Sequence, residues 1–512
     1  MVPTHRIIVN TIAQYTRSVL NAVLSLFSVR YIVEALGSSD YGLFVVIGGV
    51  ISLLGFVTNA LITTTQRFLS YSYGSSDKSQ IKKVFANSFF VHLVFAALIF
   101  VFLMAMRDMM IFQWLNIPTD RYDVAPAIYL ITAIILVVTV ITVPFKALFI
   151  ARENIVFISL VDIFDGFLKL GVALCLLWVD TDRLILYALF MLGIQLFNMV
   201  LLSSYALRRF EECHVLISPR EIDYSLMRQL AGFAGWMTYG MGAVVLRSQG
   251  IQILLNRIYG TVINAAYGIA SHVFASVAFI STSILNAMNP QIVKAKGEGN
   301  HQRMVHLAEM EAKYSTMMLM LILIPAIFET PDILALWLKE VPDHTVMFCR
   351  FLLCCLIIDQ TTYSMNTVNQ AMGNVRNYIL LTYTPKILIL LPIYIILLQG
   401  FSPFAVMALH TTAEVVTCLI RLVYMGHNGV LQTRHYLKTA ILPLLPLLAV
   451  QCLVCVACTQ LLDLRYRFLI TLPLSMSVCA LILWRVTLSS AERQYMLSMF
   501  KSVVGKTRCL QA

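Results

Sequence analysis

Ionisable side chains that fall inside long apolar stretches are the residues of this sequence best placed to do chemistry. The cations among them are Arg17, Lys169, Arg247, Arg350 and Lys386, and the anions are Asp162, Asp165, Asp359 and Glu414. A charge near the centre of a bilayer costs about 2.5–3.5 kcal/mol on insertion scales, so each is expected to face protein or water rather than lipid. Arg17 lies within the stretch from Arg6 to Gly37, and Arg30 sits near its far end. Arg17 and Arg247 have no acid one helical turn away. A guanidinium offers a rigid donor fork that matches phosphate oxygens, and reduced dielectric strengthens the contact relative to bulk water. Arg17, Arg247 and Arg30 are therefore the candidate diphosphate-binding residues. The competing reading for Arg30 is snorkelling to the interface beside Glu34, and Arg350 has the same alternative.

The acids fall into two groups. Asp162 and Asp165 are three residues apart, and Asp165 and Lys169 four, so all three share one helix face and can pair locally. Asp359 and Lys386 lie at similar depth on consecutive stretches, and Glu414 follows on the next. Two readings stand for these residues. They are structural ion pairs, or one carboxylate titrates and couples movement of a cargo to protons or sodium. Asn10, Gln14, Tyr15, Asn21, Thr63, Thr64, Gln66, Tyr239, Gln249, Asn256, Asn286 and Asn289 are candidates for contacts to sugars, and hydrogen bonding between helices explains them equally well.

Helices must hold these side chains. The chain has 512 residues, 59% hydrophobic and 12% charged, with a mean hydropathy of +0.81. Soluble domains run at about 45–50% apolar and about 25% charged, so this composition belongs to an integral membrane protein. With spans of about 20 apolar residues as the ruler, fourteen transmembrane helices are predicted. They fall near 8–34, 42–67, 85–106, 125–150, 155–178, 184–206, 229–255, 262–289, 314–338, 346–371, 377–399, 403–426, 438–461 and 467–486. The N-terminus lacks the layout of a cleaved signal peptide, so the first helix is expected to be retained. The net charge of +11 fits basic loops that set orientation and calls for no nucleic acid. The 11 cysteines lie mostly in apolar segments, and the Cys452–Cys455 pair has no second pair or histidine nearby. Neither a metal site nor a disulfide framework is expected.

Sixteen Lys and Arg residues in the loops on one side face seven on the other, which places both termini in the cytoplasm. The loop from Arg208 to Arg228 divides the chain. Tyr41-Gly42 recurs as Tyr267-Gly268 at an offset of 226, and Gly74 as Gly297 at 223. With equal helix spacing, this predicts two pseudo-symmetric six-helix bundles plus two C-terminal helices: residues 1–207, a cytoplasmic linker 208–228, residues 229–428, and 429–512 with an amphipathic tail. Such repeats flank a midplane binding site in many secondary transporters. Met109 to Asn116 and Glu492 to Val504 are expected to lie at the membrane surface.

Ala35-Leu36-Gly37, Asp40-Tyr41-Gly42, Gly48-Gly49, Thr65-Gln66-Arg67-Phe68, the loop holding Gly74, and Leu115-Asn116-Ile117-Pro118 together carry a resemblance. The chain resembles the oligosaccharide-lipid flippases of the O-antigen and capsule type, within the multidrug/oligosaccharidyl-lipid/polysaccharide exporter superfamily. The resemblance implies a V-shaped pair of six-helix bundles working by alternating access, with Arg17 and Arg247 on helices that face one another across the cleft. It also implies transfer of undecaprenyl-diphosphate-linked oligosaccharide from the cytoplasmic to the periplasmic leaflet of a bacterial inner membrane. Membrane lipids, a glycan polymerase and glycosyltransferases are the implied partners.

Two other functions compete with that reading. A proton- or sodium-coupled multidrug antiporter would want acidic, aromatic pockets for organic cations, whereas here intramembrane cations at least match the acids. A membrane glycan ligase or polymerase would carry a substantial outer loop gathering His, Asp, Glu and Arg, and the outer loops are short. No Walker A pattern is present, so ATP hydrolysis on this chain does not drive transport, and no cofactor is expected.

Overall fold

The computed structural model describes residues 3–483 apart from 53, 76, 115, 116, 118–120, 180, 216–221, 339, 340 and 463–465. The expected surface helix at Glu492 to Val504 and most of Leu115–Pro118 lie outside the described residues. The chain is an all-helical polytopic membrane protein. Among the described residues nine helices are long and apolar enough to cross a membrane, or ten if the two halves of a bent helix count as one span.

The first half runs α1 (Pro3–Ser52), α2 (Gly55–Ser75), α3 (Lys78–Met109), α4 (Ala125–Ala151), α5 (Ile155–Leu176) and α6 (Arg183–Arg209). The second runs α7 (Tyr224–Tyr259), α8 (Thr261–Gly297), α9 (His301–Phe328), α10 (Thr330–Trp337), α11 (Thr345–Met372), α12 (Arg376–Leu388), α13 (Leu390–Leu398) and α14 (Pro403–His427). After these come α15 (Thr433–Tyr436), α16 (Leu444–Leu461) and α17 (Phe468–Ile482). The window 42–67 is corrected: α1 continues to Ser52 through a kink at Gly37, and α2 starts only at Gly55. Apolar continuity hid that break, because hydropathy does not register backbone angles.

The breaks repeat. Gly37 has φ +76 and Gly260 has φ +81, 223 positions later. Only glycine enters that left-handed region without strain. The interruption near residue 53 has its counterpart 226 positions on, where α8 bends by 41° between Ala278 and Ile280. Helix starts match too. Asp77 accepts bonds from the Ser79 and Gln80 amides at the head of α3, and Asn300 accepts from the Arg303 amide at the head of α9. These caps satisfy amides that have no partner inside the helix. Pro325 in α9 and Pro385 in α12 each stand shortly before a helix ends, where the missing amide hydrogen weakens the ladder.

Two compact units emerge. Unit 1 takes in residues 1–247, 282–307 and 367–387; unit 2 takes in 248–281, 308–366 and 388–512. In unit 1, α4 is the central helix, with α2, α3 and α6 packed on it and Ala125, Ile128, Ala133 and Val140 fully enclosed. Unit 1 also contains a close crossing between repeat-related glycines. A Cβ on Gly74 would stand 2.1 Å from the Lys294 carbonyl oxygen, and one on Gly297 would stand 2.1 Å from the Tyr71 carbonyl oxygen. Unit 2 is organised on Ile251, Phe348, Ile393 and Met407, with a second cluster of α9, α16 and α17 around Met320, Leu447 and Cys479. Outward-facing residues such as Leu98 and Val101 are apolar and exposed, the surface expected to meet lipid.

Candidate functional site

α1 and α5 come together because Gly166 allows it: a Cβ there would stand 2.9 Å from Asn21 Oδ1 and 2.9 Å from Leu24 Cδ1. At this junction Arg17 Nη1 donates to Asp162 Oδ2 at 2.6 Å, and Lys146 Nζ of α4 lies 3.7 Å from Asp162 Oδ1. Arg17 thus has a carboxylate partner 145 residues away in sequence, and Asp162 does not confine itself to its own helix. Asp165 does pair locally, with Lys169 at 2.7 Å, and accepts from Asn198 Nδ2 at 2.7 Å. The cluster of Arg17, Lys146 and Asp162 holds two cations around one anion. Arg30 is exposed on α1, and Arg247 is half-buried on α7.

Asp359 has a partner that the sequence reading did not name. Asp359 lies 2.8 Å from Arg421 Nη1, a guanidinium of α14 that is 1% exposed. Arg421 also donates to Thr362 Oγ1 at 3.2 Å. Arg421 sits in the apolar window 403–426 and could have been found there. Lys386 is buried in unit 1. Glu414 is buried with His410 one turn earlier, 3.8 Å away. Arg350, exposed, donates to the carbonyls of Ile327 and Phe328 at the end of α9. Glu329, fully buried, is gripped by Arg467 through Nε at 3.0 Å and Nη2 at 3.1 Å.

Glu311 of α9 is different. It is fully buried, and neither carboxylate oxygen has a hydrogen-bond partner among the described residues. Its main-chain oxygen accepts from Ser315, which in turn accepts from Gln360 of α11. The sequence window for this span began at 314, so Glu311 read as a loop residue.

Several of the candidate sugar contacts are spent on holding helices. Asn10 donates to the Glu153 carbonyl at 2.9 Å, Tyr239 bonds Thr384 at 2.8 Å, and Asn289 accepts from Thr367 at 2.6 Å.

A second cationic feature of unit 1 was not anticipated as a site. Arg67 near the end of α2, Arg228 at the start of α7 and Arg376 at the start of α12 line one cavity of 330 Å³, with Phe233, Trp236 and Asn374. No Asp or Glu is among its described lining residues. In the sequence Arg67 stands within a short motif and Arg228 ends the loop that divides the chain, and nothing there links either to Arg376.

At the loop face of unit 1, Arg152 beyond α4 clasps Glu212 through Nε at 2.7 Å and Nη2 at 2.8 Å, and Tyr73 donates to the same carboxylate. Burial works to raise the Glu212 pKa, but the bonds from Arg152 and Tyr73 outweigh it and hold the carboxyl below its ordinary range.

No protein-family model matches this sequence, and no curated protein does. Solved structures do match its fold. A MATE crystallised in complex with MaD3S superposes with a TM-score of 0.72 at 13% identity, covering 85% of this chain and 97% of that one. An outward-facing multidrug resistance MATE family transporter of the MOP superfamily gives 0.73 at 12%, covering 84% and 96%. A MOP superfamily transporter from Pyrococcus furiosus, for which reverse polarity of the binding pocket suggests a different function, gives 0.69 at 13%, covering 84% and 96%. The chain is similar to these proteins in fold.

Proposed function

We propose that this chain is a lipid flippase that carries undecaprenyl-diphosphate-linked oligosaccharide from the cytoplasmic to the periplasmic leaflet of a bacterial inner membrane. It works by alternating access in O-antigen, capsule or exopolysaccharide assembly, with both termini cytoplasmic. The observation that supports this reading over others is the sign of the charge left over in unit 1. Asp162 is outnumbered by Arg17 and Lys146, Asp165 is matched by Lys169, and three arginines line a cavity free of acids among its described residues. An anionic cargo gains from that excess, and an organic cation is repelled by it. Arg17, Arg247 and Arg30 contribute donor forks for the diphosphate, Arg17 acting together with Lys146.

The competing reading is a cation-coupled multidrug antiporter, favoured by Glu311, the buried carboxylate without a partner. In the flippase the same residue serves coupling, as a fully buried carboxylate with no hydrogen-bond partner among the described residues. Asp162, Asp165 and Asp359 are instead bonded across helices, to Arg17, Asn198 and Arg421, and Glu414 lies 3.8 Å from His410 on its own helix.

The test is flipping of a polyprenyl-diphosphate oligosaccharide in liposomes containing the purified chain, read by access of a membrane-impermeant sugar oxidase. The expected result is transfer that R17A and R247A abolish, with Lys at either position rescuing in part. Ethidium export down an imposed proton gradient, with no sugar transfer above empty liposomes, would replace this reading with the antiporter. Glu311→Gln is expected to remove the dependence of transfer on the proton gradient; transfer indifferent to both proton and sodium gradients would end the coupling assignment.

A further inference from the structure

The arginine cavity of unit 1 is built to a degree that orientation charges do not require. α11 ends at Met372, and the chain turns through Gly373 (φ +89) into α12 at Arg376. Arg67 Nε donates to the Gln370 carbonyl at 2.8 Å and Nη2 to the Ala371 carbonyl at 3.4 Å, capping the end of α11. A Cβ on Gly373 would stand 2.7 Å from Arg67 Nη2, so this glycine meets both a backbone and a space requirement. The guanidinium is framed by rings, 4.5 Å from Phe68 and 5.5 Å from Phe233, and the remainder of its donor fork is uncommitted among the described residues.

The other two arginines are held open in the same way. Arg228, Gly232 and Trp236 follow one another at four-residue spacing and so share one face of α7. A Cβ on Gly232 would meet nothing within 4 Å, which leaves the space before Trp236 clear. Arg376 rests over the Trp236 ring at 5.6 Å. Neither Arg228 nor Arg376 has a carboxylate partner among the described residues. Three like charges around one cavity repel each other, and only an anion in their midst turns that repulsion into attraction.

We propose that this cavity is a binding site for a phosphate-bearing anion, with Arg67 as the fixed donor and Arg228 and Arg376 as the arms that close on it. Resting on the flippase reading, we take its natural occupant to be a lipid phosphate, met at the membrane face where the basic loops gather before the cargo moves inward. Guanidinium forks bond phosphate oxygens in pairs, and the aromatic rings exclude water from one side of the contact.

The experiment is a titration of inorganic pyrophosphate into the full chain held in phosphatidylcholine nanodiscs, followed by tryptophan fluorescence, with W236F to assign the signal. A saturable change, lost in W236F and weakened about tenfold or more in R228Q/R376Q, is the expected result. Gly373→Ala, which displaces Arg67 and leaves the other two in place, should weaken it as well. Phosphatidylglycerol in the disc that raises the apparent Kd identifies a lipid phosphate as the occupant; an unchanged Kd identifies a free phosphate. No saturable change, or one equal in R228Q/R376Q and the parent, overturns the site. Binding is read here without transport. A silent titration beside intact flipping discards the cavity and keeps the flippase, and binding beside failed flipping does the reverse.

Discussion

Unit 1 and unit 2 handle buried charge in opposite ways. In unit 2 three guanidiniums are committed: Arg421 to Asp359, Arg467 to Glu329, and Arg350 to helix-end carbonyls. Glu311 in the same unit is a fully buried acid whose carboxylate has no hydrogen-bond partner among the described residues. In unit 1 Asp162 and Asp165 are paired, and Arg67, Arg228 and Arg376 line a cavity with no Asp or Glu among its described lining residues. The cations of that cavity in unit 1 and the buried carboxylate of unit 2 are the groups on which the proposed anion binding and proton coupling rest. A charge matched one to one holds helices in place, whereas a charge in surplus over its partners remains available to a ligand.

The comparison can be broken most forcefully at Arg467. Replacing it with Ala leaves Glu329 fully buried without its bidentate partner, which should cost about 3–5 kcal/mol, whereas exchanging both members for apolar residues of similar volume should be nearly neutral. Unfolding of both variants in detergent checks this, and equal losses would mean that the pair matters only for its packing. Next comes Arg152→Ala in unit 1, expected to cost about 1.5–3 kcal/mol at neutral pH. The folded Glu212 pKa lies below its unfolded value, so the contribution is complete above the ordinary carboxylate range and fades as pH falls through the folded pKa. Parent and variant stabilities should therefore converge in acid, and a gap that persists there would show a contribution independent of the carboxylate.

Gly74→Ala should cost about 1–3 kcal/mol through forced separation of two backbones, and Gly297→Ala a similar amount, measurable in the same unfolding series. The smallest effect is the sharpest test of the contrast. R228Q/R376Q should leave stability within about 0.5 kcal/mol of the parent, because neither arginine is engaged with a carboxylate. A large loss there would show that unit 1's arginines are structural as well.

Much of the architecture was legible from apolar runs and from the offsets at Tyr41 and Gly74, because burial in lipid imposes long, simple patterns. Glycine placement was less legible: that Gly37 and Gly260 share a left-handed φ is a backbone fact, and neither hydropathy nor composition carries it. The partners of the charged residues were least legible. Arg17 and Asp162 are 145 positions apart, and helical spacing relates only neighbours one or two turns away. The same limit grouped Asp162 with Asp165 and Lys169 as a local cluster and left Arg421 unassigned. The cavity escaped notice because its three arginines come from distant helix ends, each one ordinary where it stands.

Gly74 and Gly297 press on one another reciprocally: a Cβ on either would strike the carbonyl oxygen three residues before the other, Lys294 in one direction and Tyr71 in the opposite one. A contact that repeats in both directions lies on a local dyad, the geometry found at the axis of a symmetric dimer. Main chain meets main chain there, so a methyl group on either side would force the two segments apart.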